Sequence, residues 1–109
     1  MYRIKYMGSA KENLREIEEY YDKIDVRLTN KILAGIDKRI LELKDMPFRW
    51  RRYPDNPGYR VIGVYSYLIF YIVDEENQMV EIHRVLHSAR NIEREMKKNI
   101  EGIQSADEE

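Results

Sequence analysis

The chain has 109 residues, enough for one domain with a real core, and its 19 basic and 20 acidic side chains leave a formal net charge of −1. That balance gives no global attraction to nucleic acid. The absence of cysteine rules out a disulfide framework and a thiolate metal site and fits a reducing, cytoplasmic setting. No stretch approaches the ~20 apolar residues of a membrane span, and Arg3 and Lys5 have no long apolar run behind them, so no signal peptide is expected.

Tyr2, Ile4 and Tyr6 alternate with Arg3 and Lys5, which predicts a half-buried strand. Ser9 followed by Glu12 reads as a capping box, so a helix is expected to start near Ala10. Its apolar stripe is Leu14, Ile17, Tyr20/Tyr21 and Ile24. Asp25 is placed to cap a second helix with the stripe Leu28, Ile32, Leu33, Ile36, Ile40 and Leu43, running to about Asp45 before Pro47 ends it. The short connection makes the two helices an antiparallel hairpin.

Residues 48–58 form the long irregular segment, with Pro54, Pro57 and Gly58 beside Arg49, Trp50, Arg51, Arg52 and Tyr53. From Tyr59 to Asn91, three runs rich in Val, Ile, Tyr and Phe are broken at Ser66 and at Asp74–Asn77, which predicts a meander. A last helix is expected from Ile92 to about Gly102, with Ile92, Met96, Ile100 and Ile103 on one stripe. Residues 1–103 then form one domain and 104–109 a short acidic tail. The order is β-α-α-β-β-β-α, an α+β fold with a helical hairpin on one face of a small antiparallel sheet.

Charge is unevenly spread. Lys11 to Asp25 hold six acids and three bases, whereas Pro47 to Arg60 hold four arginines and one acid. Strand alternation puts Val80, Ile82, Arg84 and Leu86 under the helices and Met79, Glu81, His83, Val85 and His87 on the open face. His83 and His87 would then share a concavity, with Arg60 entering from the neighbouring strand. Histidine can pass a proton near neutral pH and arginine can hold a phosphate, so this set could cleave a phosphodiester or hold a partner's carboxylate. The alternatives are structural: His87 as a strand-end residue bonded to backbone, Arg84 as a pairing residue at the sheet margin, Trp50 as a loop anchor. No third ligand accompanies His83 and His87, so no metal site is expected.

The element order and the stretch "IHRVLHSARN" at Ile82–Asn91, following a tyrosine-rich hairpin, resemble the RelE/ParE superfamily of type II toxins, closest to its ParE-like and plasmid-stabilisation branch. The resemblance spans Tyr2 to about Ile100. It implies a growth-inhibiting toxin neutralised by a cognate antitoxin, without a cofactor. RelE-like members cut mRNA in the ribosomal A site without metal; ParE-like members are described as poisons of DNA gyrase that lack the basic set of the RNases. Position by position, the first basic residue of that set falls on Arg60, the second on Ile62, the strand arginine on Leu68 after Tyr67, and the closing residue on His87. The open face would read Arg60, Ile62, Val64, Leu68, Phe70, His83 and His87. A mostly apolar face suits a protein partner.

The resemblance therefore implies a ParE-like toxin that binds a protein target, with gyrase inferred. The competing readings are a ribosome-dependent mRNA endonuclease using Arg60 and His87, with His83 or Arg90 assisting, and a non-toxic binding module. Antitoxin or target contacts are expected at Arg49, Trp50, Arg51, Arg52, Leu68, Phe70, Arg84 and Arg90.

Overall fold

A computed structural model describes residues 1–97. Its elements are β1 (Arg3–Tyr6), α1 (Gly8–Asp22), α2 (Val26–Glu42), β2 (Arg60–Val64), β3 (Tyr67–Asp74) and β4 (Met79–His87), followed by helical residues at 92–97. The expected Ile100 and Ile103 contacts and the 104–109 tail lie outside the described residues.

The sheet order is β1-β4-β3-β2. β2, β3 and β4 form the expected antiparallel meander, but β1 pairs with β4 in parallel, Arg3 opposite Met79 and Tyr6 opposite Ile82. The sheet is thus mixed, not antiparallel. The cause is the helical hairpin, which returns the chain to the end where β1 began, as the bond from Tyr2 N to Lys44 O (2.9 Å) shows. Three further strands starting from that end leave β4 running with β1.

Asp25 caps α2 as expected, its carboxylate accepting from Arg27 N at 2.9 Å. The capping box does not form. α1 starts at Gly8 with Met7 as its cap, and Ser9 is buried, its hydroxyl donating 2.6 Å to the carbonyl of His83. The α1 stripe also shifts. Ala10, Asn13 and Ile17 are buried, whereas Tyr20 and Ile24 are exposed. Ser9 and Asn13 lie on the buried face because β4 runs on beyond the short β1 and its edge there needs partners. Asn13 Oδ1 accepts from Val85 N at 3.0 Å, so polar side chains of α1 satisfy the strand edge that β1 leaves uncovered.

The core has two parts. Between helices and sheet lie Ala10, Ile17, Ile32, Ile36, Ile40 and Leu43 against Ile62, Tyr67, Ile69, Tyr71, Val80, Ile82 and Val85. On the opposite sheet face, Tyr59, Val61, Phe70, Leu86 and Met96 cluster, flanked by Tyr53, Leu68, Ile72 and Ile92.

Between Phe70 and Tyr71 the β3–β4 register slips: Phe70 faces Arg84 while Tyr71 faces Ile82, which leaves His83 as an extra residue in β4. This bulge overturns the alternation expected beyond Ile82. Val85 packs under the helices and Leu86 on the opposite face, the reverse of the expected placement.

Candidate functional site

Three surfaces hold the side chains that the sequence singled out, and the structure keeps them apart. One lies at the far ends of β3 and β4. There Asn13, Glu16, Ile17, Tyr20 and Tyr21 of α1 meet Tyr67, Val85, His87 and Arg90 around a recess of about 240 Å³. The Tyr67 hydroxyl donates to that of Tyr21 at 3.3 Å, and the ring of Tyr67 meets His87 edge-on at 5.3 Å. Burial, then the bond to Tyr21, drives the Tyr67 hydroxyl well above its ordinary pKa, so it stays protonated. His87 Nδ1 accepts from Ala89 N at 3.1 Å, which puts the proton of the neutral ring on Nε2. Arg90 reaches Glu95 at 3.2 Å. The recess thus offers hydroxyls, an imidazole and a guanidinium beside the edge-on pair Tyr20–Tyr21. Its tyrosines were assigned from sequence to packing alone; the adjacent pair Tyr20–Tyr21 is the one signal that a second tyrosine would be left at the rim.

The second surface is the segment between α2 and β2. Arg60 NH1 donates to the carbonyls of Trp50 (2.7 Å) and Phe48 (3.4 Å), and its guanidinium stands 5.1 Å from the Phe48 ring. Arg52 pairs with Arg60 in a short antiparallel bridge, and Val61 N bonds Arg51 O at 3.1 Å. Tyr71 OH donates to Pro47 O at 2.9 Å, with burial pushing its pKa up to about 12. These bonds fix the loop against the sheet and turn Arg49, Arg51 and Arg52 to solvent. Trp50 packs on the core margin, with the guanidinium of Arg39 at 5.2 Å and that of Arg49 at 5.3 Å from its ring centre.

The third surface is the face expected to be open. It is covered: Phe70 is fully buried, its ring 5.0 Å from Tyr53 in an edge-on pair, and Met96 closes over the same cluster. Leu68 is half-buried there. Phe70 is therefore no exposed docking group, because Tyr53, Tyr59 and the helical residues at 92–97 fill the space above it. Arg60, Ile62 and Val64 are not on this face; Ile62 and Val64 pack toward the helices and Arg60 turns to the loop. His83 is on it, with Nε2 3.2 Å from Glu81 and its ring 5.3 Å from that of Tyr59.

His83 and His87 do not share a concavity, because the bulge separates them. Nor do Arg60 and His87 meet. Arg60 faces Tyr71 and His87 faces Tyr67, so about 13 Å along the sheet and about 10 Å across it divide their backbones. Arg84 is almost wholly buried at the sheet margin, where NH1 donates to Ser9 Oγ and to the carbonyl of His83 (2.7 Å). Its bonds are internal, so it offers no contact surface. Among the described residues no three His, Cys, Asp or Glu side chains gather as metal ligands. None of their helices is long and apolar enough to cross a membrane.

The helical hairpin laid over a four-stranded mixed sheet is a fold that this chain shares with solved toxin–antitoxin proteins. Residues 4–92 match the family model described as the ParE toxin of the type II toxin–antitoxin system parDE, and the chain belongs to that family. It is the toxin component of a type II module. Solved structures with similar folds include the chromosomal ParDE system of P. aeruginosa (TM-score 0.68, 18% identity, covering 80% of this chain and 96% of that one). They also include the RelBE2 toxin–antitoxin complex of Mycobacterium tuberculosis (0.58, 22%, 79% and 96%) and the isolated RelE toxin of E. coli (0.59, 18%, 92% and 99%). No curated protein matches significantly.

Proposed function

We propose that this toxin inhibits growth by binding a protein target, DNA gyrase on the family resemblance, and that a cognate antitoxin neutralises it. The observation that carries the reading is the dispersal of the basic and imidazole groups. Arg60 is committed to the carbonyls of Phe48 and Trp50, His83 lies across the sheet beside Glu81, and His87 bonds backbone at the far end of β3. An RNA-cleaving site needs its proton-transfer and charge-stabilising groups within reach of one phosphate. The similar ParDE and RelBE2 structures are toxin–antitoxin systems, which supports an antitoxin partner here.

The antitoxin contact is assigned to Arg49, Arg51 and Arg52 with Trp50, an exposed cationic strip on a fixed loop that suits an acidic partner segment. Reversing the three charges is expected to weaken antitoxin binding at least tenfold at low salt. Unchanged affinity would reject the assignment.

One observation favours the mRNA endonuclease reading. The recess at the ends of β3 and β4 brings Tyr21, Tyr67, His87 and Arg90 together, a set able to stack a base and move a proton. Induction without antitoxin, followed by pulse labelling, separates the two. An early stop in DNA synthesis with DNA-damage induction supports the protein-target reading. An early stop in translation with cut mRNA, abolished by His87→Ala, would replace it.

A further inference from the structure

We propose that the recess at the ends of β3 and β4 takes an arginine side chain presented by the toxin's protein target. Charge decides the class of occupant. Glu16 and Arg90 are the charged residues on the lining. Arg90 is already paired with Glu95 at 3.2 Å. Arg15, next to Glu16 in the chain, is paired with Glu12 and Glu19. Glu16 itself meets no cation at ion-pair distance among the described residues. The uncompensated charge on the recess is therefore negative, and it stands in the acidic stretch of α1, where Lys11 to Asp25 hold six acids against three bases. A phosphate or a partner's carboxylate meets repulsion there, and a cation meets attraction.

The lining suits arginine in shape as well. Asn13, Glu16, Ile17 and Tyr20 follow one another at helical spacing on one face of α1, so a carboxylate, an apolar floor and an aromatic rim are neighbours. Tyr20 is 60% exposed, and its ring lies edge-on to that of Tyr21 at 4.9 Å. A tyrosine ring attracts a guanidinium within about 6 Å, and the planar fork of the guanidinium matches the Glu16 carboxylate. The aliphatic stem can lie along Ile17 and Val85. The recess, about 240 Å³, is smaller than the roughly 300–1,000 Å³ of small-molecule pockets, so it fits one long side chain better than a whole ligand.

Two further groups point to a peptide behind that side chain. Asn13 is only 6% exposed; its Oδ1 is taken by Val85 N, and its amide NH2 has no partner among the described residues. His87 accepts from Ala89 N through Nδ1, which leaves its Nε2–H as a donor. An arginine side chain brings no acceptor for either group. The backbone carbonyls of the segment that carries it do.

The recess and the arginine loop thus select opposite charges. A segment acidic enough for Arg49, Arg51 and Arg52 is repelled by Glu16, and a basic segment is repelled by the loop. Assigning the occupant to the growth target rests on the protein-target reading; the cation site itself does not.

The site is tested on the isotope-labelled full chain, titrated with the peptide acetyl-Gly-Arg-Gly-amide and with its Glu counterpart. Saturable shifts at residues 13–21, Tyr67 and the His87 ring are expected with the Arg peptide and not with the Glu peptide. Glu16→Gln and Tyr20→Ala, both at exposed positions, should each weaken that binding by about fivefold or more. Shifts centred elsewhere, equal binding of the Glu peptide, or unchanged binding in both variants would overturn the proposal.

The occupant is tested by inducing Glu16→Lys without antitoxin. Growth inhibition should be lost, while antitoxin affinity stays within about twofold of the parent chain. Inhibition retained or increased, as expected if the recess receives RNA, would overturn the assignment to a protein target. So would a loss of antitoxin binding, which would make the antitoxin the occupant. The peptide titration contains neither target nor antitoxin, so a failure of the site and a failure of the protein-target reading appear in different measurements.

Discussion

The two halves of β4 obey different rules. From Met79 to Ile82 the strand lies between β1 and β3 and alternates strictly, with Val80 and Ile82 under the helices. From Arg84 to His87 its other neighbour is α1, and the faces are exchanged, with Val85 inward to the helices and Leu86 outward. One extra residue, His83, separates the halves. A strand edge must satisfy its backbone groups wherever they fall. Ser9 and Asn13 serve the second half by side-chain bonds that a pleated neighbour would have made by ladder bonds. The bulge lets the strand bend toward α1, and the same step moves His87 into the tyrosine recess and away from His83.

Inserting one alanine between Arg84 and Val85 should break this contrast most severely. It would shift the rest of the strand by one residue and turn Val85 and Leu86 to the wrong faces. The expected loss matches the whole stability of a small domain, about 5 kcal/mol or more, so circular dichroism should show no cooperative melting transition. A folded insertion variant with native stability would show that the faces taken by Val85 and Leu86 carry no structural weight.

Arg84→Met should come next. It removes the buried guanidinium bonded to Ser9 Oγ and the His83 carbonyl, at an expected cost of about 3 kcal/mol in urea unfolding. Ser9→Ala alone should cost about 1 kcal/mol. Because the two share one network, the double variant should fall short of the sum by more than 0.5 kcal/mol, on the order of measured couplings between contacting residues. Strict additivity would show that Ser9 and Arg84 act separately.

The exchanged faces can be sharpened by coupling. Leu86→Ala and Met96→Ala belong to one cluster and should couple by about 0.5–3 kcal/mol. Val85→Ala and Met96→Ala lie on opposite faces and should be additive within about 0.5 kcal/mol. The reverse pattern would restore the unbulged register.

Alkaline unfolding probes the tyrosines on either side of the slip. Tyr71 has its folded pKa raised by burial to about 12, and Tyr67 is raised in the same direction. The unfolded chain releases these protons first, near the ordinary tyrosine value of about 10. Their contribution is therefore complete below about pH 10 and lost as pH rises toward about 12. Tyr71→Phe should flatten that decline in a series of urea melts; an unaltered pH profile would remove Tyr71 as its source.

The smallest effect is expected at Gly35 in the middle of α2. A Cβ there would stand 2.5 Å from the ring of Tyr65, which sits at positive φ in the β2–β3 turn. Tyr65 is exposed and its ring can swing away. Relief of the mid-helix glycine favours the variant by up to about 1 kcal/mol. Gly35→Ala should thus be neutral to mildly stabilising, and a loss above about 1 kcal/mol would show that the Tyr65 contact is fixed.

Much of the fold is legible in the sequence because it rests on local chemistry. The apolar positions of α2, the Asp25 cap, the turn at Asp74–Asn77 and the existence of four strands follow from periodicity and from side chains bonding their own backbone. The family was legible as well, in "IHRVLHSARN" at the end of a tyrosine-rich meander. Which face each strand residue takes was not. β2 carries Val61 and Ile62 side by side, and β3 is apolar from Leu68 to Val73, because both faces of the sheet are covered. A strand buried on both sides has no polar alternation to fix its register. Ser9 shows the same limit. Its spacing to Glu12 is that of a cap, yet the carbonyl of His83, 74 residues away, takes its hydroxyl. The sequence by itself determined the elements, their order and the family, since those depend on near neighbours along the chain. Only the tertiary structure decided the bulge at His83, the parallel pairing of β1 and the separation of Arg60, His83 and His87. Each of these is set by backbone groups and surfaces that meet only after distant segments have packed.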